Sequence, residues 1–580
     1  MSSVTFVTCF LSIYNREKKD DYWDIHWNDH WDNQWRYQQF EKLAQSGIQL
    51  CLCACSTSYD VLNTLIEEKK YSNVKLIKKV DLEDTLFYHS CKDIDFTLPN
   101  NRSQDKDTEK YMYVINSKIE FMKYAIDRNP WNSTHFAWID FSIAYVFKHP
   151  EATFEKLALL STYQYPSKIL LFPGCWNKLN PGDIEYMLNK ICWRFCGGFF
   201  LGDADSMREF YESYKIHFPS FVNHYKKLVW EVNFWAWLEA TLDWKPEWYL
   251  ADHNDSIIDI PTRYYALLLD AKLQKVSYEY PVIENFFPSN TAYVFHAGKH
   301  ILNTRFINYS YNEYGCYDIR DPDRTIYTKN LVSELDGDLL PLNYVEMDES
   351  TVGLVSHNMY SMGLEDIRLY SYQNKVRFIA TNVNYVGSRS NRMIVGDYDP
   401  EIGQYSDCRI IQPPTDTSCE KNWIPIVRGE EEFFVYTWSP YRLGKINYDT
   451  NQLEIVESYE IKSPDFHRIR GSSIFVKNAR NGKNGRNGKD GKDALVGVVH
   501  YCEETNPRQY YHMLVSLDQH TLLPIAYSDP FCFQHYGVEF CIGFTIKEGK
   551  YVFWVSKKDN ETIMVTIEKE DILLRHVVVY

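Results

Sequence analysis

Through residues 1–275 short apolar runs alternate with segments whose apolar positions recur every three or four residues. Val4–Ile13 and Ile48–Ala54 read as strands; in the second, Cys51, Cys53 and Cys55 alternate with Leu52 and Ala54 as in a buried strand. Lys110–Ile126 sets Met112, Ile115, Ile119, Met122 and Ile126 on one helical stripe. Phe136–Ile143 and Ile169–Phe172 return to the strand pattern. Asp203–Tyr214 reads as a helix capped by Asp203 or Asp205, and Tyr225–Leu242 as a Trp-rich helix. Trp23, Trp27, Trp31 and Trp35 recur every four residues, a helical aromatic stripe for packing or for stacking on a sugar, with His26 and His30 inside it. The alternation predicts an α/β, Rossmann-like domain over 1–280 with its site beyond the carboxyl ends of the strands.

Past about residue 285 helical periodicity fades. Val376–Asn382, Arg392–Tyr398, Glu432–Trp438, Lys445–Tyr448, Ser472–Val476, Val496–Tyr501, His512–Ser516 and Lys550–Ser556 read as strands separated by turn signals. Many short strands on this scale predict an all-β domain over 285–580, a β-propeller before a sandwich, although no clean repeat period counts its blades. An insertion at 478–494 contains GKNGRNGKDGKD, four Gly-X-Y triplets without proline, too few to hold a triple helix. It reads as a hairpin insertion, or as a mimic of a collagen-like partner.

With 62 basic and 78 acidic residues the net charge is −16, which argues against a general nucleic-acid binder. No run of 18 apolar residues predicts a membrane span, and no basic region precedes the apolar start, so a cytoplasmic protein is expected. The 14 cysteines are scattered without a CxxC pair and read as reduced structural thiols. Aromatic residues reach 16%, which suits sugar-stacking clefts and β-rich cores alike. These features leave a large enzyme or a carbohydrate binder.

His135–Ile143 is an apolar strand ending in Asp140, with Ser142 where an Asp-x-Asp pair would have its second acid. Such a carboxylate either caps a turn or holds a divalent ion against a diphosphate. The ordered segments TFVTCFL near the start, Asn116–Met122 (NSKIEFM), WIDFSI around Asp140, Gly197–Gly202 (GGFFLG) and Glu231–Trp237 (EVNFWAW) resemble the HtrL/YibB family of glycosyltransferases over residues 4–260. The resemblance implies a GT-A-like fold moving a sugar from a UDP-sugar or GDP-sugar, with Mn²⁺ or Mg²⁺. It implies Thr8, Asn116, Lys118, Asp140, Gly197 and Gly198 at the donor, Lys118 facing the diphosphate, and Glu231 as acceptor-binding or base residue. Asp252 or His253 in ADHND would complete the metal site with Asp140, unless that loop is simply an Asx-turn.

Downstream, MGLEDIRL at 362–369 resembles the Gly-x-Glu-Asp-Pro-Arg segment of five-bladed propellers in the mannoside phosphorylase and mannosidase group, with Ile367 in place of the proline. Asn303–Tyr309 (NTRFINY), Glu420–Pro425 (EKNWIP), Arg468–Ser473 (RIRGSS), Val498–Tyr501 (VVHY) and Trp554–Asp559 (WVSKKD) follow that group's order. The likeness implies an all-β five-bladed β-propeller in which Glu365, Asp366, Arg368, Lys421, Asn422, Arg470, His500 and Asp559 converge on a glycan or phosphate site. Asp366 is then catalytic; alternatively Asp366 and Arg368 brace adjacent blades. The whole implies a glycosyltransferase acting on a glycan or glycosylated protein, with a propeller that binds or processes glycans. The alternatives are a propeller that is the only active enzyme, or a lectin-like module. The pairing with a Gly-X-Y tract is similar to giant DNA virus proteins, which implies a viral fibre or collagen-like acceptor in host cytoplasm and a homo-oligomer.

Overall fold

Strands in the first half bury both faces, so each splits its side chains between two cores. Phe6 and Phe10 enter one core and Val7 the other; Leu50, Leu52 and Ala54 enter the first, and Cys51, Cys53 and Cys55 the second. A computed structural model describes residues 4–13, 33–242, 244–312, 315–461, 466–478, 494–505 and 507–577. It divides into Met1–Tyr265 and Ala266–Tyr580. Most of the Trp23–Trp35 stripe, His26 and His30 included, lies outside the described residues; Trp35 packs on Tyr145 with ring centroids 5.7 Å apart.

The first unit runs β1 (Val4–Phe10), α1 (Asn33–Gln45), β2 (Leu50–Ala54), α2 (Ser56–Glu68), β3 (Val74–Lys79), α3 (Leu86–Cys91), α4 (Glu109–Asn116), α5 (Lys118–Arg128) and β4 (His135–Ile139). It continues through α6 (Pro150–Leu160), β5 (Leu170–Gly174), α7 (Ile184–Asn189), β6 (Phe199–Asp203), α8 (Ala204–Tyr225), α9 (Glu231–Thr241) and β7 (Glu247–Leu250). The sheet order is β3-β2-β1-β4-β6-β5-β7, with β6 antiparallel to both neighbours and the other pairings parallel. The chain leaves β1 for β2 on one side and returns to β4 on the other, so the carboxyl ends of β1 and β4 flank a switch in strand order, where α/β sheets leave a crevice.

Two local departures from the periodicity shape this edge. The stripe over 110–126 is two helices broken at Ser117, which makes Lys118 the first residue of α5. The strand at 136–143 stops at Ile139: the Asp140 N–H still bonds the Gly198 carbonyl at 3.0 Å, but the Ile143 N–H then donates back to the Asp140 carbonyl at 3.0 Å and turns the chain.

The second unit is all-β and propeller-like. Three sheets have four strands each: 365–372 to 404–411, 424–428 to 452–459, and 539–568 closed by 274–277. The sheet begun by Phe287–His296 has five strands, and the one centred on Ala494–Glu503 and Gln509–Asp518 has eight. The five-bladed propeller that the resemblance implied is not borne out beyond a propeller-like region: the short strands 470–471, 476–477 and 531–532 attach piecemeal to the largest sheet. The boundary also falls earlier than expected, at 265. Gln274–Ser277 pairs with the strand Glu561–Glu568, Ile563 opposite Ser277, which assigns it to the second unit. The Gly-X-Y tract lies outside the described residues. Its flanks pair antiparallel, Val476 opposite Val496, as a hairpin insertion requires. No helix among the described residues is long and apolar enough to cross a membrane.

Candidate functional site

In the second unit, the strand Glu365–Tyr372 breaks register with its neighbour between Glu365 and Arg368, and Asp366 has a left-handed backbone (φ 52°). A bulge re-aims side chains that strict alternation would send to opposite faces. Here both acids reach Arg305: Nη1 lies 2.8 Å from Asp366 Oδ1, and Nη2 3.6 Å from Glu365 Oε2. Asn290 Nδ2 donates to the same Asp366 oxygen at 2.8 Å. Burial pushes the Asp366 carboxyl up, but the Arg305 and Arg368 charges and the Asn290 donor outweigh it and hold the pKa below its ordinary value.

Asp559 goes the other way. Burial raises its pKa and the Asp366 charge adds to that, against the opposing pull of Arg305 and of the Tyr309 hydroxyl, which donates to Oδ2 at 3.0 Å. His500 is driven well below its ordinary value by burial, and then by neighbouring cations; its Nδ1 lies 2.8 Å from Ser472 Oγ. These groups line one cleft of about 200 Å³, with Lys421 and Arg508 supplying further positive charge and Tyr311, Tyr317 and Tyr510 supplying ring faces.

Of the eight residues expected there, Glu365, Asp366, Lys421, Asn422, His500 and Asp559 line the cleft. Arg368 and Arg470 do not. Arg368 is buried and donates to the Ser472 carbonyl at 2.6 Å, to Asn422 Oδ1 at 2.9 Å and to the Gly471 carbonyl at 3.2 Å, tying neighbouring sheets together. It meets Asp366 only at the backbone carbonyl, so the bracing ion pair read from the sequence is replaced by Asp366–Arg305. Arg470 is exposed on a two-residue strand opposite His500. Asn290, Arg305, Tyr309 and Arg508 went unassigned, although the NTRFINY segment contains two of them. Arginine at an inward position of a buried strand was the available signal, since a guanidinium there needs an acid.

In the first unit the site is an ionic knot at the carboxyl edge. Asp140 Oδ1 accepts from Trp138 Nε1 at 2.7 Å and lies 3.0 Å from Lys118 Nζ, and its side chain is 42% exposed. Lys118 Nζ also donates to Glu231 Oε1 at 2.8 Å and to the Gly197 carbonyl at 2.7 Å. Burial opposes the lysine charge, but the Asp140 and Glu231 carboxylates outweigh it and raise the pKa. Glu231 opens α9, where the helix dipole favours an anion.

The knot accounts for Gly197, and apolar packing beside it for Gly198, without a sugar. A Cβ at Gly197 would overlap Glu231 Oε1 and come within 3.3 Å of Lys118 Nζ; one at Gly198 would meet the Ile143 and Ile257 Cδ1 atoms at 3.1 Å. Thr8 is fully buried with an unpartnered hydroxyl. Asn116 is buried as well, donating to the Met112 and Val229 carbonyls and accepting from the Tyr214 hydroxyl. Neither presents a polar atom at the surface where a donor would bind.

Asp252 and His253 do not assemble with Asp140. Among the described residues, the group of three metal-type ligands that forms is Cys175, Cys196 and His253. Mg²⁺ and Mn²⁺ favour oxygen ligands. At Asp140 the Lys118 ammonium takes the cation's place, and the second carboxylate, Glu231, is itself bound to that lysine. The residues present therefore do not fit a protein-held Mg²⁺ or Mn²⁺ at Asp140.

Fold and sites together define a chain with an α/β unit bearing an ionic knot at its sheet edge, followed by a propeller-like unit with an acidic and cationic cleft. Residues 36–227 match the family model described as "Bacterial protein of unknown function (HtrL_YibB)". No curated protein matches the chain. Similar solved structures include a β-1,2-mannobiose phosphorylase from Listeria innocua, at 10% identity over 50% of this chain and 93% of that one, TM-score 0.34. A mannose phosphorylase from Leishmania mexicana is 14% identical over 52% of this chain and 89% of its own, TM-score 0.32. A GDP-Man-dependent mannosyltransferase from the same organism is 12% identical over 53% and 94%, TM-score 0.34.

Proposed function

We propose that the second unit is a carbohydrate-active catalyst that exchanges a glycosidic bond for a bond to phosphate. The observation behind this reading is a single cleft holding two carboxylates with opposite proton affinities, Asp366 and Asp559, beside Lys421 and Arg508. Environments that push two acids apart separate acid from base roles. Asp559, the more easily protonated, donates its proton to the departing glycosidic oxygen as the bond to the anomeric carbon breaks. A phosphate oxygen forms the new bond at that carbon, its charge met by Lys421 and Arg508. Ionised Asp366, fixed by Arg305, accepts a hydrogen bond from a sugar hydroxyl and orients the ring.

The mannoside class follows from the MGLEDIRL resemblance. Full-length protein incubated with β-linked mannobiose and inorganic phosphate is expected to release mannose 1-phosphate. Asp559→Asn and Asp366→Asn should each slow release by about 10²–10⁴-fold. Absence of sugar phosphate from the wild type, or turnover by Asp559→Asn equal to wild type, rejects the reading.

One observation favours a second activity in the first unit: the half-exposed Asp140 at the strand-order switch, with Lys118 beside it. We infer a GT-A-like unit that binds a UDP- or GDP-sugar and passes the sugar to a glycan acceptor, without a divalent ion held by Asp140. Calorimetric titration with UDP and with GDP should show binding that Asp140→Asn weakens; equal binding by that variant removes this reading.

A further inference from the structure

We propose that Cys175, Cys196 and His253 form a binding site for a Zn²⁺-type ion, separate from Asp140 and from any nucleotide-sugar chemistry. The three ligand atoms lie within 4.8 Å of one another. Cys175 Sγ is 3.6 Å from Cys196 Sγ and 4.0 Å from His253 Nδ1. A tetrahedral ion with Zn–S bonds of about 2.3 Å and a Zn–N bond of about 2.0 Å separates two sulfurs by roughly 3.8 Å and sulfur from nitrogen by roughly 3.5 Å. The two edges at Cys175 therefore lie within about half an ångström of a zinc tetrahedron's, and the third is no longer than 4.8 Å. Asp252 Oδ1 lies 3.9 Å from Cys175 Sγ and 3.5 Å from His253 Nδ1, an acid beside two of the three ligands. Two sulfurs and an imidazole select zinc over the hard ions Mg²⁺ and Mn²⁺.

The backbone holds these side chains in place before any ion arrives. Cys175 follows β5, Cys196 precedes the antiparallel β6 and His253 follows β7, so all three hang from one edge of the sheet. The Cys175 N–H donates to the Trp193 carbonyl at 3.0 Å, Cys196 N–H to the Pro173 carbonyl at 2.8 Å, and Ala251 N–H to the Gly174 carbonyl at 2.8 Å. The His253 ring stands edge-on to Trp193 with centroids 4.1 Å apart. Both thiols release a proton to solvent as the Zn–S bonds form. The ion would also tether the segment that precedes Gly197, whose carbonyl accepts from Lys118.

The test is Zn²⁺ titration of the reduced, desalted full-length protein against a chromophoric chelator, compared with the Cys175→Ser/Cys196→Ser double variant. The wild type is expected to take up one more equivalent than the double variant. Co²⁺ in its place should show a thiolate-to-cobalt charge-transfer band and the intense d–d bands of a tetrahedral ion. His253→Gln changes a partly exposed side chain and leaves the core intact; it should lose the equivalent, and Asp252→Asn should weaken binding by about 10–100-fold. Uptake equal to that of the double variant, an octahedral Co²⁺ spectrum without a thiolate band, or a Cys175–Cys196 disulfide in protein isolated without reductant overturns the site.

Discussion

Replacing Arg305 with methionine removes the cation that holds Asp366 ionised in a buried place. Arg305 Nη1 is 2.8 Å from Asp366 Oδ1, and the two side chains are 7% and 20% exposed. Stripping one partner from a buried ion pair costs about 3–5 kcal/mol, because the remaining charge is left without compensation. Asp366 keeps its Asn290 donor and some solvent, so the lower end, about 3 kcal/mol, is expected. The pH dependence gives the sign. In the wild type the lowered folded pKa of Asp366 adds stability above the unfolded carboxyl's pKa of about 3.9, lost as pH falls through the lower folded value. Without Arg305 burial dominates and the folded pKa rises above the unfolded one. The penalty is then absent below about pH 4 and grows towards pH 7. Hydrogen exchange of peptides spanning 299–307 and 365–372 at several pH values reads this gap. Arg305→Met/Asp366→Asn should close most of it. A gap that is flat with pH, or a double variant no better than the single, refutes the electrostatic account.

Gly197→Ala forces the new methyl into Glu231 Oε1 and breaks the Lys118–Glu231 contact; a loss of at least about 2 kcal/mol is expected in thermal melting. Gly198→Ala meets movable methyl groups at 3.1 Å and should cost about 1 kcal/mol. Turnover that needs protonated Asp559 should fall as pH rises through its raised folded pKa, which a pH–rate profile locates above the ordinary carboxyl range. Glu349, hydrogen-bonded by Tyr385 at 2.5 Å, is raised by burial to about 7 from 4.5. Its stabilisation is complete below pH 4.5 and lost as pH passes 7, up to about 3 kcal/mol and less for the solvent that reaches it. Urea unfolding of Glu349→Gln at pH 5 and pH 8 should show that much less pH sensitivity than the wild type.

Much of the architecture was legible in local pattern. Period-two alternation placed β1, β2 and β4, and the Cys51/Cys53/Cys55 face points into one core as read. Helix limits were less exact: the helix begun at Ala204 runs on to Tyr225, and the Trp-rich one starts only at Glu231, because tertiary packing and not the stripe sets their ends. Six of the eight residues that the ordered motifs point to line the cleft, yet Arg305, which makes its central ion pair, sits in NTRFINY with no local sign of its acidic partner.

Which residues face a core, and where strands give way to turns, can be read along the chain, because those depend on neighbours a few positions away. What meets what at the sheet edges emerges with the folded sheet. Lys118 and Glu231 are 113 positions apart and touch at 2.8 Å, while Cys175, Cys196 and His253 converge from three strands. Electrostatic and coordinate bonds act over a few ångströms in space, so partners are chosen by strand order and register, which no stretch of residues read singly contains.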